Sequence, residues 1–293
     1  LDSRAIVVYA GFSVNRSLRP TPPFSLRARP SAALLLAAFV SSAWMAACGG
    51  KNTDVLSGSA QGDEKLIALG RDALEREKWE EARGYFQQLL DSYPRSQLAG
   101  DARLGVADSY FNQKGSGNLV LAIAEYRDFL TFFPNHPRAD YAQFQIGYGH
   151  YRQIHSPDRD QDPTALAIEE FEKLIELYRN SRYAEEGRKL LEECYETLAE
   201  SEFRVGLFYL EIRKACRASI ARFNEVIEKY PTYKRQDELH FRLGTAYQLC
   251  GQLDQALPHF QRVVDNYPDS EFREQAQAIL QTLQVANGTR ELK

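Results

Sequence analysis

The chain has 293 residues, a net charge of -4 and 44% hydrophobic residues, enough apolar material to bury a sizeable core. Residues 1–47 hold five arginines and one acid, and without them 31 bases face 39 acids. So acidic a remainder excludes nucleic acid as the main partner, because that partner requires a clustered basic face.

The front of the chain reads as an export signal. No acid occurs between Asp2 and Asp54, and Arg27 and Arg29 precede nine apolar residues, Ala32 to Val40. A basic start, a short apolar run and small residues before a cut mark a secretory signal peptide. Ser31 to Ala47 falls short of the roughly 20 apolar residues of a membrane span. An uncleaved anchor and an organellar presequence are the alternatives. Met45-Ala46-Ala47-Cys48 resembles the lipobox of bacterial lipoproteins. That resemblance implies lipidation of Cys48 and stable attachment to a membrane through several acyl chains. Gly49 rather than an acid follows, which in enteric lipoproteins implies the outer membrane. Residues 1–26 lie far upstream of such a signal and the chain opens on leucine; we expect a mis-assigned start or a partial reading and give them no function. Residues 48–63 are small and polar and read as a flexible tether.

From 64 to 286 one pattern recurs. Leu69-Gly70, Trp79, Ala82, Phe86 and Pro94 form the first copy. Gly105, Ala107 and Tyr110, then Ala122, Tyr126 and Pro134, form the second. Ile146-Gly147, Ala167 and Phe171 form the third, with Arg179 where proline is expected. Val205-Gly206, Tyr209, Phe223 and Pro231 form the fourth, with Ser219 in place of alanine. Leu243-Gly244, Tyr247, Ala256, Phe260 and Pro268 form the fifth, with Gly251 at the turn between its helices. Leucine, glycine and tyrosine three and four apart share one helix face. The pattern resembles the tetratricopeptide repeat. It implies an all-α superhelical solenoid of about five helix pairs, because one pair cannot bury its apolar face alone. Phe272, Ala276, Ile279 and Leu283 then share the face of a capping helix, and residues 287–293 form a frayed tail.

Candidate interaction residues cluster in the third copy. Tyr141, Phe144, Tyr148 and Tyr151 fall within a stripe of about 80° on one helix. The stripe is either a core face or the floor of a peptide-binding groove, where aromatic rings offer large, rigid contact area. Between the two helices lies His155 to Pro163, with Asp158, Arg159 and Asp160. Its acids match calcium-loop spacing, but Pro163 stands where that loop needs glycine, and we expect no metal. The insertion reads as solvated or as a docking loop. His150 and His155 are five apart and do not align as a metal pair. No nucleotide-binding or hydrolase motif is present, so neither a cofactor nor catalysis is expected. Cys194, Cys216 and Cys250 are expected to be buried free thiols; one pair could bond in an oxidising compartment, and spacing does not select it. Glu185 to Glu202 reads as the mostly solvated face of an extra-long helix.

Phe133-Pro134-Asn135-His136-Pro137, Asp140-Tyr141-Ala142, the Asp158 to Asp162 insertion and the stretch from Ala199 to Pro231 resemble the BamD family over roughly Cys48 to Pro268. The resemblance implies a non-enzymatic lipoprotein scaffold of the machinery that assembles outer-membrane β-barrel proteins. It implies two partners, unfolded outer-membrane proteins and the periplasmic domains of the barrel-forming subunit, with Arg222 as a docking candidate. A repeat adaptor of a division or pilus apparatus, an envelope enzyme with a repeat arm and a mitochondrial adaptor are the competing readings.

Overall fold

In four of the five helix pairs a glycine on one helix meets a buried ring on the other, and that contact sets the architecture. The computed structural model describes residues 62–288, with side chains to residue 283; the signal, Cys48 and most of the tether lie outside the described residues. The helices are α1 (Gly62–Glu75), α2 (Trp79–Ser92), α3 (Ala99–Asn112), α4 (Ser116–Phe132), α5 (Ala139–Tyr151), α6 (Asp162–Leu177), α7 (Ala184–Leu207), α8 (Cys216–Lys229), α9 (Gln236–Leu249), α10 (Leu253–Asn266) and α11 (Arg273–Gly288). They form five pairs and a cap, an all-α tetratricopeptide-repeat solenoid with no strand among the described residues. The helical body starts two residues earlier than expected, at Gly62, which is buried beside Tyr93.

Packing follows the repeat. A Cβ added to Gly70 would stand 2.3 Å from the Phe86 ring, one on Gly147 2.8 Å from Phe171, one on Gly206 2.4 Å from Phe223 and one on Gly244 3.0 Å from Phe260. All four rings are fully buried. The cores run across pair boundaries. Leu104, Ile123, Tyr126, Phe129 and Ile146 join pairs two and three, while Phe203, Phe223, Leu239 and Leu243 join pairs four and five. On the last pair, Phe241 and Phe260 are covered by Ala276 and Leu280 of α11, which therefore acts as the cap.

Each pair ends in the same way. Tyr93, Phe133, Tyr178, Tyr230 and Tyr267 occupy the C-caps of α2, α4, α6, α8 and α10 with near-identical backbone angles (φ -124 to -131°). Each returns its N–H to the carbonyl four residues back. Arg179 in place of proline therefore leaves the third stop unchanged. Three residues beyond the cap, a polar side chain is held by an acid on the first helix of the same pair. Ser96 donates to Asp63 (2.5 Å), Ser181 to Asp140 (2.7 Å), Tyr233 to Glu200 (2.5 Å) and Ser270 to Asp237 (2.6 Å). The serines also accept the N–H two residues on, so each clasp orders the entry to the next helix.

One expectation is corrected. Cys216 and Cys250 form a disulfide, with Cα atoms 5.6 Å apart, and only Cys194 is a buried free thiol among the described residues. Spacing could not pick this pair because stacking, not sequence, brings the start of α8 to the end of α9. The acidic run on α7 is mostly solvated as expected, with Glu200 drawn into contacts. Glu200 binds Tyr233, Arg204 and Arg235, and those bonds and charges outweigh burial to hold its carboxyl below the usual range. Helix α7 is extra-long as expected, and a π turn, Phe208–Ile212, extends it further.

The fifth pair sets buried His240 against half-buried His259. Their Nδ1 atoms are 3.1 Å apart, and His240 Nε2 lies 3.4 Å from Arg262 Nη1. Arginine only donates, so His240 Nε2 accepts and its Nδ1–H donates to His259 Nδ1. Another proton would set donor against donor. Burial first, then His259 and Arg262, pushes His240 down to about 4, and burial and Arg262 lower His259 as well.

Two measurements follow. In urea melts, Gly206→Ala lowers stability by about 1–2 kcal/mol, overpacking exceeding the helix-propensity gain. Ser219→Ala raises it by about 1 kcal/mol, because the Ser219 hydroxyl is fully buried without a partner. For the histidines, unfolded imidazoles take protons below about 6.5 while the folded pair refuses them, so stability falls as pH drops from 6.5 towards 4. Melting temperature should decline across that window, and His259→Phe should reduce the slope.

Candidate functional site

The stripe on α5 becomes a column of rings. Tyr183, which precedes α7, stacks on Phe144 (centroids 5.2 Å, 23°); Phe144 stacks on Tyr148 (5.9 Å, 16°) and Tyr148 on Tyr151 (6.0 Å, 17°). All four rings, and Tyr141 beside them, are half-buried. Their inner sides pack on the cores of pairs two and three while their outer sides meet solvent. Ile146 and Gly147 take the fully buried positions of α5, which frees the stripe from serving as core alone. The column is thus partly core and partly exposed surface. First helices of successive pairs touch directly, at α1–α3 and α5–α7, so the column lies on the layer of first helices.

Polar contacts fix the rings from behind and from the side. Asp108 on α3 accepts hydrogen bonds from Tyr126 (2.6 Å) and Tyr141 (2.7 Å). Burial pushes the Asp108 carboxyl up, against the two hydroxyls and Arg138. Tyr141 is pushed well above the usual phenol range by its own burial and by Asp108. Arg138 lies over the Tyr141 ring, 4.5 Å from its centroid. At the far end Tyr151 donates to Glu193 on α7 (2.5 Å), and that bond with burial takes its hydroxyl up to about 12. Tyr195 extends the aromatic surface towards Tyr230 (6.4 Å) and donates to Glu172. Sequence reasoning missed Tyr183 and Tyr195. Tyr183 sits one residue before a helix, outside any period, and Tyr195 lies within a run dominated by acids.

Behind α5 is a charged network. Arg127 bonds Glu170 (2.9 Å) and approaches His150 (3.2 Å), and Gln143 donates to Glu170 (2.8 Å). Burial would raise Glu170, but Gln143, Arg127 and Lys173 outweigh it and hold the carboxyl low. Burial and Arg127 lower His150. A groove of about 330 Å³ opens beside this network, floored by Val120, Ile123 and Leu166 and edged by Asp160 and Asp162.

The inserted loop is ordered from within. Gln161 donates to the Ser156 and Arg159 carbonyls, and Asp160 accepts the Asp162 N–H. Asp158 reaches Arg204 on α7 (3.6 Å), while Arg222 on α8 bonds Glu202 (3.0 Å) and Glu225 (3.2 Å). Positions 202 and 204 differ by about 200° around α7. The structure therefore does not bring the loop residues Asp158, Arg159 and Asp160 together with Arg222; they sit on opposite sides of one helix. Among the described residues no three metal-ligating side chains converge.

The family model described as outer membrane lipoprotein matches residues 60–253, and a tetratricopeptide-repeat model matches 238–270. Outer membrane protein assembly factor BamD of Caulobacter vibrioides is 30% identical over 227 residues, covering 76% of this chain and 72% of that one. The BamD of Rickettsia prowazekii is 29% identical, covering 72% and 82%. Among solved structures, the TPR2AB-domain:pHSP90-complex of yeast Sti1 aligns at a TM-score of 0.41 and 14% identity, covering 78% of this chain and 85% of that one.

Asp108→Ala should test what holds the site together. It leaves two buried tyrosine hydroxyls without their acceptor, and urea denaturation should show a loss of about 3 kcal/mol.

Proposed function

Since this chain belongs to the BamD family of outer membrane lipoproteins, we propose that it is a lipid-anchored scaffold of the machinery that assembles β-barrel proteins in the outer membrane. Its place is the periplasmic face, with Cys48 carrying the acyl chains. Its work is binding rather than catalysis. The partners are unfolded outer-membrane proteins and the periplasmic domains of the barrel-forming subunit.

The observation that carries the client side is the half-buried ring column from Tyr183 to Tyr151. Rings locked by core packing lose little freedom on binding, so an extended, aromatic-rich segment can lie across them at small entropic cost. Tyr141, Phe144, Tyr148 and Tyr151 are the groove residues, and Tyr183 completes the column. The docking side is assigned to Asp158, Arg159 and Asp160 on the inserted loop and to Arg222. Their separation around α7 supports two contact areas rather than one. Arg222 is already held by two carboxylates, so a partner acid would have to displace one of them.

Leucine at Phe144 and Tyr148 keeps the aliphatic contact with the core and removes the rings. A synthetic peptide from the carboxy-terminal strand of an outer-membrane β-barrel protein should bind this double variant at least about tenfold more weakly by fluorescence titration, since central aromatic anchors contribute more than 1 kcal/mol each. Circular dichroism should be unchanged. Equal affinity for the two proteins would remove the groove assignment.

A further inference from the structure

The end of α7 carries a surface that neither the ring column nor the docking residues use. Val205, Phe208 and Ile212 are 36, 49 and 69% exposed, three and four residues apart on one side of the helix and its π turn. Immediately beyond come Arg213, Lys214 and Arg217, all exposed and without an ion pair among the described residues. The one acid inside the stretch, Glu211, is taken by Arg242 (3.0 Å). The Cys216–Cys250 disulfide brings Leu249, 50% exposed, to the same end.

This stretch is built rather than frayed. The Arg213 N–H returns to the Phe208 carbonyl and the Ala215 N–H to the Tyr209 carbonyl, closing the helix end. Lys214 takes the closing position at φ 52°, in the left-handed region. Glycine enters that conformation freely and a lysine does not, so a cation is held there against backbone preference. The disulfide fixes the following residue pair to α9, so the apolar and basic side chains are displayed on a rigid base.

We propose that the end of α7 and the turn to α8 form a membrane-contact patch, in which Phe208 and Ile212 enter the headgroup region of a bilayer and Arg213, Lys214 and Arg217 engage anionic phospholipid headgroups. Charge complementarity selects this occupant: the chain outside residues 1–47 is acidic overall, so an anionic surface is repelled everywhere except at a local basic cluster. Apolar side chains rimmed by cations are the pattern of interfacial membrane binding. A member of an outer membrane lipoprotein family works beside a bilayer, where even a weak contact is used at high effective concentration. The patch would set which side of the solenoid lies on the membrane. This inference does not depend on client or subunit binding.

Residues 62–288 contain their own cores and serve as the test protein, kept oxidised. They are sedimented with vesicles of phosphatidylcholine alone or with a quarter phosphatidylglycerol, at 50 and 500 mM salt. Binding is expected on the anionic vesicles only, and to fall at high salt. It should drop at least about tenfold for the R213Q/K214Q/R217Q variant, each cation near the surface contributing about 1 kcal/mol. It should also drop for F208S/I212S, whose side chains are exposed and whose thermal melts should match the parent. No binding to anionic vesicles, equal binding to neutral ones, or unchanged binding by both variants would overturn the proposal; so would exclusive binding to an acidic protein surface.

Discussion

A ring pressed onto a glycine is the contact on which this solenoid depends. Phe86, Phe171, Phe223 and Phe260 are fully buried because Gly70, Gly147, Gly206 and Gly244 leave the room a Cβ would fill. With the two helices of a pair drawn that close, further apolar side chains reach the next pair as well as their own, so the cores run across pair boundaries. Stability is thus shared between neighbours, and the last pair needs α11. The aromatic caps and acid–serine clasps add a second layer of control by fixing where one pair ends and the next begins.

The same economy shapes the aromatic surface of α5. On α5 the fully buried positions are met by Ile146, Gly147 and Ala142, so the large rings at 141, 144, 148 and 151 need only half their area for the core. Asp108, Glu193 and Glu172 hold tyrosine hydroxyls by short hydrogen bonds, which fixes the rings in place. Preorganised aromatic surface of this kind loses little freedom when a partner covers it.

Much of this was legible in the sequence for a physical reason: the amphipathic period is local, and a glycine on the first helix faces an aromatic on the second in four of the five copies. The helix pairs, the turn at Gly251, the long α7 and the capping helix all follow from such signals. What stayed hidden depends on stacking. Cys216 and Cys250 are 34 residues apart and meet only because pairs four and five pack side by side. Glu200 belongs to a charged run but is drawn inward by Tyr233 and Arg235, which arrive from the next turn. Tyr183 joins the ring column from outside the helix that carries the rest. The stripe itself was visible, yet its double use as core and surface needed the neighbouring helices to be in place.

As a member of this family, the stacked helical scaffold is proposed to join the barrel-assembly machinery in the outer membrane. The decisive experiment is affinity purification of the full chain from detergent-solubilised outer membranes, with its companions identified by mass spectrometry. Stoichiometric recovery of a large β-barrel subunit bearing periplasmic domains is expected. Recovery of division or pilus components without that subunit would contradict the proposal.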